Sequence, residues 1–217
     1  MPADARDAGW LVAFEGVEGA GKSTQLRLLG RALEGLGREV VATREPGGTP
    51  LGERVRVILL DASSAGMHPR AEALLFAAAR AQLVEQVIRP ALERGAVVLC
   101  DRYLHSSLAY QGAARGLGVD EVAAVNRWGT GGLLPDVVVL LDLDPSVGLE
   151  RRSGTRDRIE DQEVEFHQAV GRAFRALAKA DPDRFVVVDA GPTPEQVAER
   201  VCAAVLARLE GGRVRLG

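Results

Sequence analysis

The chain has 217 residues, of which 47% are apolar and 26% are charged, a composition typical of one globular domain rather than of a disordered or fibrous chain. A net charge of −3 argues against a general binder of nucleic acid, and no apolar run is long enough to cross a membrane. We therefore expect neither nucleic acid nor a membrane as a partner.

Five short apolar runs predict β-strands, and stretches with helical periodicity separate them. Residues 1–9 are expected to form a disordered tail, and residues 10–217 a single domain. The predicted strands are 10–14, 40–42, 96–100, 137–141 and 185–188, and the predicted helices include about 22–36, 51–60, 70–93 and 195–209. Because the strands are continuous apolar runs, they are typical of a parallel sheet that is buried on both sides. The predicted fold is therefore α/β, a parallel five-stranded sheet with helices on both faces.

The turn after the first strand carries a phosphate-binding motif. Residues 16–23 match the pattern GxxxxGK[ST], and a predicted strand precedes them while a predicted helix follows. Glycines in such a loop allow backbone N–H groups to surround phosphates, and the helix adds its positive N-terminal end. The residues assigned to nucleotide binding are Gly16, Val17, Glu18, Gly19, Ala20, Gly21, Lys22, Ser23 and Thr24.

Two side chains of the motif and one acid beyond it have separate predicted roles. Lys22 is one of only two lysines among 27 basic residues, and it is expected to contact the β- and γ-phosphates. The Ser23 hydroxyl and the carboxylate of Asp101, directly after the third strand, are expected to hold Mg²⁺. Asp101 could also cap the helix that follows, and the two roles are compatible.

A nucleotide-binding loop by itself leaves three classes open: a GTPase switch, an ATPase motor and a small-molecule kinase. A GTPase normally recognises guanine through Asn-Lys-x-Asp, and neither lysine of the chain stands in that motif. A motor is usually larger and carries further modules. These observations favour a small kinase, with a catalytically silent nucleotide-binding module as the alternative from another class.

Three further motifs follow the phosphate loop in order. They are Thr-Arg-Glu-Pro-Gly-Gly-Thr at 43–49, Asp-Arg-Tyr-Leu-His-Ser-Ser-Leu-Ala-Tyr-Gln-Gly at 101–112, and Asp-Arg-Ile-Glu at 157–160. Together they closely resemble the thymidylate kinase family over about residues 10–208. The resemblance implies a P-loop nucleoside monophosphate kinase fold and transfer of the γ-phosphate of Mg·ATP to dTMP, giving dTDP for dTTP biosynthesis. Another nucleoside or nucleotide kinase is the nearest enzyme alternative.

The resemblance also implies an acceptor site. Arg102 is similar to the family's arginine that clamps the acceptor monophosphate, a task suited to a planar fork of donors. Glu18 stands where the family has an acid near the sugar 3′-OH and the acceptor phosphate. The family pattern places the ring of Phe76 on the thymine and Arg80 on a thymine oxygen. The residues implied for dTMP binding are Glu45, Arg56, Phe76, Arg80, Arg102, Ser106, Ser107, Tyr110 and Gln111.

Phosphoryl transfer requires positive charge around the migrating group, and the phosphate loop contains no arginine. The arginine-rich segment at about 151–160 resembles the lid of the bacterial subgroup of the family. We expect Arg152 and Arg158 to act from this lid, beside the predicted catalytic residues Lys22, Arg102 and Glu18.

After Phe166 the chain departs from the family pattern. Arginines of an Arg-Val-Arg run are replaced by Ala169 and Gly171, and a tyrosine is replaced by Phe174. The resemblance further implies a homodimer, for which the helix at 70–93 is the candidate interface. Two cysteines without disulfide or metal spacing, and a start without the apolar core of a signal peptide, predict a cytoplasmic protein.

Overall fold

Five parallel strands form the centre of the structure, a computed structural model that describes residues 9–151 and 157–211. The strands lie in the order β2-β3-β1-β4-β5. Their bounds are Trp10–Glu15 (β1), Val40–Arg44 (β2), Val97–Asp101 (β3), Val137–Asp142 (β4) and Phe185–Asp189 (β5). Each begins within one residue of its predicted position, and the predicted α/β fold class is confirmed.

Helices connect the strands throughout the described residues. The α-helices are Lys22–Gly35 (α1), Pro50–Leu60 (α2), Pro69–Leu83 (α3), Arg89–Glu93 (α4), Leu104–Ser107 (α5), Val119–Gly129 (α6), Pro145–Arg151 (α7), Val164–Ala180 (α8) and Pro194–Glu210 (α9). Two segments have the wider hydrogen bonding of a π-helix, Val84–Ile88 and Leu108–Ala114, and Ala62–Ser64 forms a 3₁₀ turn.

The helix predicted at 70–93 is divided by one of these wide segments. Pro90 lacks a backbone N–H, and its ring excludes the carbonyl four residues before it from regular α-helical bonding. The hydrogen bond from the Arg89 N–H accordingly reaches back five residues to the carbonyl of Val84. The prediction of one continuous α-helix is therefore wrong in detail, although the chain is helical over the whole range.

Helices cover both faces of the sheet because successive strand residues point in opposite directions. On β1, Val12 and Phe14 belong to a core formed with α1 and α9, which pack against each other. Leu11 and Ala13 belong to the opposite core, with residues from α3, α4 and α6 and the segment between α3 and α4. The central strand is therefore buried on both sides, as its continuous apolar run predicts.

The register of the strands brings three loops together at one edge. Phe14 of β1 and Arg44 of β2 both lie beside Asp101, the last residue of β3. Because the strands are parallel, the phosphate loop, the 45–49 turn and the segment after Asp101 all leave from this edge. Clefts at the carboxyl ends of such strands are the usual ligand sites of open α/β sheets.

Residues 1–8 of the predicted tail lie outside the described residues. Gly9, which the prediction included in the tail, is buried and donates its backbone N–H to the carbonyl of Leu92 at 2.9 Å. Gly9 thus packs against the domain. Within 9–151 and 157–211, no helix combines the length and the apolar character needed to cross a membrane.

Candidate active site

A cavity with a volume of about 540 Å³ opens at the carboxyl edge of the sheet. Most of the predicted site residues line it together. They are Glu18, Gly19, Gly21, Lys22, Ser23, Thr24, Glu45, Arg56, Phe76, Arg80, Asp101, Arg102, Ser106, Ser107, Tyr110 and Gln111. Gly16, Val17 and Ala20 belong to the same loop but do not line the cavity.

The phosphate loop depends on glycine at two positions, Gly19, where a side chain would not fit, and Gly21, where the backbone is left-handed. Gly19 has a φ of +72°, and a Cβ atom there would lie 2.0 Å from the carbonyl oxygen of Gly148. Gly21 has a φ of +88° and precedes the first residue of α1. This left-handed backbone turns the loop into the helix, so that the N–H groups of the first turn face the cavity.

Lys22 begins α1 and folds its side chain back over the loop. Its Nζ donates to the carbonyl of Val17 at 2.8 Å and to that of Gly16 at 3.2 Å. Burial disfavours the charged ammonium, and the positive charge of Arg102 opposes it further, which together lower the pKa of Lys22 to about 8. Lys22 is thus a cation whose charge a bound polyanion would stabilise.

Ser23 and Asp101 form an oxygen pair at the mouth of the loop. The Ser23 hydroxyl donates to Asp101 Oδ2 at 2.5 Å, and both residues line the cavity. A hydroxyl and a carboxylate are hard oxygen ligands of the kind that Mg²⁺ prefers. This donor set fits a magnesium ion that would be shared with nucleotide phosphates.

Arg102 connects the phosphate loop with the segment after β3. Its Nη1 donates to the Gly16 carbonyl at 3.1 Å and to the Ser106 hydroxyl at 3.1 Å, and its Nη2 pairs with the Glu18 carboxylate. Burial lowers the pKa of Arg102, but the charges around it, with Glu18 the largest among them, together outweigh burial, and the net direction is upward. The cation partner that an acid inside an anion-binding loop requires is therefore Arg102.

Glu15, which the sequence analysis did not single out, stabilises the backbone turn that carries Arg102. Its buried Oε1 accepts the backbone N–H groups of Tyr103 and Ser106, at 2.9 and 3.1 Å, and its Oε2 accepts the Ser106 hydroxyl at 2.6 Å. Arg102 itself has a φ of +68°, a left-handed conformation that is unfavourable for a residue with a side chain. The hydrogen bonds to Glu15 hold the turn that imposes this conformation.

Arg80 is the most tightly held of the predicted base-binding residues. Its guanidinium pairs with Glu45 at 2.5 Å, donates to the Ser107 hydroxyl at 3.0 Å and also contacts Asn126. Burial raises the pKa of Glu45, while the charge of Arg80 opposes the shift. These contacts fix the guanidinium in the cavity wall, and they place the Glu45 carboxylate beside Arg80.

The remaining predicted acceptor residues line the cavity from three different elements. Arg56 of α2 donates to the carbonyl of Pro46 at 3.0 Å, and Phe76 lies on α3. The Tyr110 hydroxyl donates to Glu18 Oε1 at 3.1 Å, and the side-chain amide of Gln111 donates to Glu72 at 2.9 Å. Residues as far apart in the sequence as Glu18 and Tyr110 thus surround one space.

Of the two predicted lid arginines, Arg158 belongs to the described residues. Arg152 lies outside the described residues. Arg158 does not line the cavity: its Nη2 is 2.7 Å from Glu72 Oε2, its Nε donates to the Leu59 carbonyl at 3.0 Å, and its side chain is 7% exposed. Its neighbours Asp157, Ile159 and Glu160 do line the cavity.

Other lining residues were not assigned a role from the sequence, namely Arg44, Pro46, Leu60, Asp157, Ile159 and Glu160. Arg44, Pro46, Asp157, Ile159 and Glu160 belong to motifs that the sequence analysis quoted, so the motifs themselves were the signal. Glu72 was missed altogether. Its position four residues before Phe76 and eight before Arg80 places all three on one face of α3, which is a pattern visible in the sequence.

The parallel sheet, the phosphate loop at its edge and the arginine-lined cavity beside that loop define a phosphate-loop α/β nucleotide-binding protein. The comparisons with known proteins specify the family. The profile of the thymidylate kinase family matches residues 14–201. The chain is 50% identical over 202 residues to the thymidylate kinase of Deinococcus radiodurans, covering 92% of this chain and 98% of that protein.

Two other relatives give the same result. Identity is 51% over 203 residues with the thymidylate kinase of Solidesulfovibrio magneticus, covering 89% of this chain and 97% of the relative. With the thymidylate kinase of Symbiobacterium thermophilum, identity is 52% over 187 residues, covering 86% of this chain and 87% of the relative. The chain belongs to the thymidylate kinase family, and this membership places it among the phosphotransferases.

Proposed function

We propose that the protein transfers the γ-phosphate of Mg·ATP to dTMP, giving dTDP. The observation that carries this proposal is that Lys22 and Arg102 converge: both donate to the carbonyl of Gly16, at 3.2 and 3.1 Å. One of these cations belongs to the phosphate loop and the other to the segment that resembles the family's acceptor clamp. Family membership favours this activity over another nucleotide kinase or a silent binding module.

On the donor side, the chain's contribution is to hold the triphosphate and neutralise its charge. The N–H groups of the loop and of the first turn of α1 would bind the phosphate oxygens, and Lys22 would contact the β- and γ-phosphates. Ser23 and Asp101 would hold Mg²⁺, which when bound neutralises charge on the phosphate oxygens. Gly16, Val17 and Ala20 shape the loop without lining the cavity.

On the acceptor side, Arg102 would release part of its contact with Glu18 and bind the dTMP phosphate. A planar guanidinium can contact two phosphate oxygens at once, which orients the attacking oxygen as well as attracting it. Glu18 would then accept a hydrogen bond from the sugar 3′-OH, and Arg56 would contribute a second positive charge. Phe76, Arg80, Ser106, Ser107, Tyr110, Gln111 and Glu45 would enclose the base and the sugar.

Around the transferring group, positive charge is required more than a general base. We retain Arg152 and Arg158 as the candidates to supply it from the lid. In the described geometry Arg158 pairs with Glu72, so direct contact with the phosphoryl group requires its guanidinium to leave that carboxylate. Closure of the lid would also exclude water and limit hydrolysis of ATP.

The decisive experiment is an assay of ADP release with Mg·ATP and a panel of nucleoside monophosphates. We expect dTMP to give the highest kcat/KM, with dUMP, CMP, AMP and GMP well below it. A higher value for any of those four would contradict the assignment of the base. Tight ATP binding without turnover of any acceptor would support the silent module instead.

We propose in addition that the active form is a cytoplasmic homodimer. Of the twelve large apolar side chains that the described structure leaves exposed, seven lie on α2, α3 and α6. Helix α3 packs against both α2 and α6, so the three helices form one continuous surface. The cysteines Cys100 and Cys202 are both free thiols, which fits a reducing compartment.

A further inference from the structure

A buried carboxylate lies behind two walls of the cavity. Glu72 of α3 has a side chain that is only 1% exposed, and it does not line the cavity itself. Its Oε1 accepts the Gln111 amide at 2.9 Å, and its Oε2 lies 2.7 Å from Arg158 Nη2. Both oxygens also accept from Arg115, at 3.4 Å each.

The partners of Glu72 belong to different walls of the same cavity. Gln111 lies in the wide helical segment after α5 and lines the acceptor side. Arg158 lies between Asp157 and Ile159, which line the cavity where the lid segment rejoins the domain. Holding the side chain of Arg158 therefore fixes the backbone from which these two lining residues project.

Further contacts of Arg115 connect the wall that contains Gln111 with the segment that contains Arg158. Arg115 follows the Gln111 segment, and its Nη1 donates at 2.8 Å to Gln162, which in turn donates to the Arg158 carbonyl at 3.0 Å. The guanidinium of Arg115 also lies 4.6 Å from the centre of the Phe166 ring. The carboxylate of Glu72 is the group on which all of these contacts converge.

We propose that Glu72 is a positioning residue that joins the base of the lid to the acceptor wall, so that the geometry of one depends on the other. This inference rests on the proposed function only in taking the cavity as the acceptor site. Glu72 acts through Gln111 and Arg158, since it lies outside the lining of the cavity.

The negative charge of Glu72 is needed for this role, as well as its shape. Burial by itself raises the pKa of a carboxyl group, but hydrogen bonds from Gln111 and Arg158 reverse the direction for Glu72. The charges of Arg115 and Arg158 lower the pKa further, so the pKa of Glu72 lies below that of an ordinary glutamate and the carboxylate keeps its negative charge. An amide of the same shape could accept from one neighbour but would leave buried arginines without a counter-charge.

The test is the variant Glu72→Gln, assayed by steady-state kinetics with each substrate varied in turn. We expect KM for the acceptor to rise by roughly tenfold and kcat to fall by a similar factor, the scale of one hydrogen bond to a charged group. KM for ATP should change by less than about threefold, because Lys22 is held within its own loop, by the carbonyls of Gly16 and Val17. The matched control is Glu85→Gln, which removes an exposed ion pair with Arg89 and should leave all three constants unchanged.

A double-mutant cycle separates positioning from mere support of the fold. If Glu72 acts through Arg158, the double variant of Glu72→Gln and Arg158→Gln should lose clearly less transition-state stabilisation, measured from kcat/KM for the acceptor, than the two single variants lose in sum. Additive effects, or an unchanged or faster kcat in Glu72→Gln, would overturn the proposal. A lower melting temperature with unchanged kinetics would overturn it as well, because that result indicates a structural role alone.

Two further measurements keep the proposal testable if the variant Glu72→Gln does not fold or if dTMP is not the preferred acceptor. If Glu72→Gln does not fold, Arg158→Lys is measured instead: it keeps the charge, and the proposal requires a smaller rise in acceptor KM than in Arg158→Gln. If the wild-type protein prefers another monophosphate, the proposed function fails, but the same kinetics with that acceptor still test Glu72.

Discussion

At the scale of single residues, the site is organised by a few buried charges that neutralise each other. Arg102 pairs with Glu18, Arg80 pairs with Glu45, and Arg158 pairs with Glu72. Each pair joins side chains that are distant in the sequence. A buried cation left without its partner is costly, so each carboxylate fixes the position of a guanidinium.

Lys22 differs from these arginines because its charge can be lost near neutral pH. Its pKa is lowered to about 8, whereas the phosphates of bound ATP would favour the protonated form. Above pH 8 the free protein must therefore take up a proton on binding ATP. We expect the affinity for Mg·ATP to fall as pH rises from 8 to 10, by up to about tenfold per pH unit.

Titration calorimetry at several pH values checks this expectation. The variant Lys22→Met should bind Mg·ATP weakly at every pH and should lose the decrease above pH 8, because the titrating group is absent. A variant with the same decrease as the wild-type protein would show that another group is responsible. The variant Lys179→Met provides the control, since it removes the other lysine of the chain.

The acceptor residues could be predicted only as a set, through their motifs. The sequence identified Arg102 and Glu18 as candidates for the site, but the ion pair between them is visible only in the structure. Glu15 carries no motif signal of its own, and the only local signal of Glu72 is its helical spacing from Phe76 and Arg80. The importance of both glutamates arises from hydrogen bonds to residues 39 to 91 positions away, and such contacts are not encoded in local spacing.

At the scale of elements, the strands were the most predictable part of the fold. The continuous apolar runs of β1, β3 and β4 are enforced by burial on both faces of the sheet, so the sequence pattern and the structure have the same cause. Helices near the site were less predictable because the wide segments Val84–Ile88 and Leu108–Ala114 depart from α-helical spacing. The second of these carries Tyr110 and Gln111, so the irregular backbone lies where it positions cavity residues.

The cap at the start of α9 allows the contribution of one capping interaction to the free energy of unfolding to be measured. The Thr193 side chain accepts the N–H of Gln196, and the Gln196 side chain accepts the N–H of Thr193. We expect Thr193→Ala to lower the free energy of unfolding by about 1 kcal/mol. Urea denaturation measures this change, and kcat should remain that of the wild-type protein because α9 does not line the cavity.

The control for the cap is Thr193→Ser, which keeps the hydroxyl. Its unfolding free energy should lie within a few tenths of a kcal/mol of the wild-type value, since serine caps helices at least as well as threonine. Equal destabilisation by serine and alanine would show that packing of the threonine methyl group, and not the capping hydrogen bond, contributes the stability.

At the scale of the whole molecule, the exposed apolar surface is unevenly distributed. Trp128 on α6 is 89% exposed and Leu74 on α3 is 57% exposed, while Val57 on α2 is 65% exposed. Side chains of this size are rarely left in water over a continuous surface unless a partner covers them. The cavity-facing residues of α3, Phe76 and Arg80, occupy a different face from Leu74, so a partner on this surface would not block the site.

We therefore expect the protein to sediment as a dimer, and Leu74→Lys to dissociate it. Burying a lysine ammonium at an apolar interface carries a large desolvation cost, which each of the two subunits would add. Analytical ultracentrifugation measures the mass, and the emission of Trp128 should shift to longer wavelength as the interface opens. The matched control is Leu36→Lys, because Leu36 is 63% exposed and follows α1, which packs against α9 on the other side of the sheet. A monomeric wild-type protein, or equal dissociation by both variants, would exclude the surface of α2, α3 and α6 as the interface.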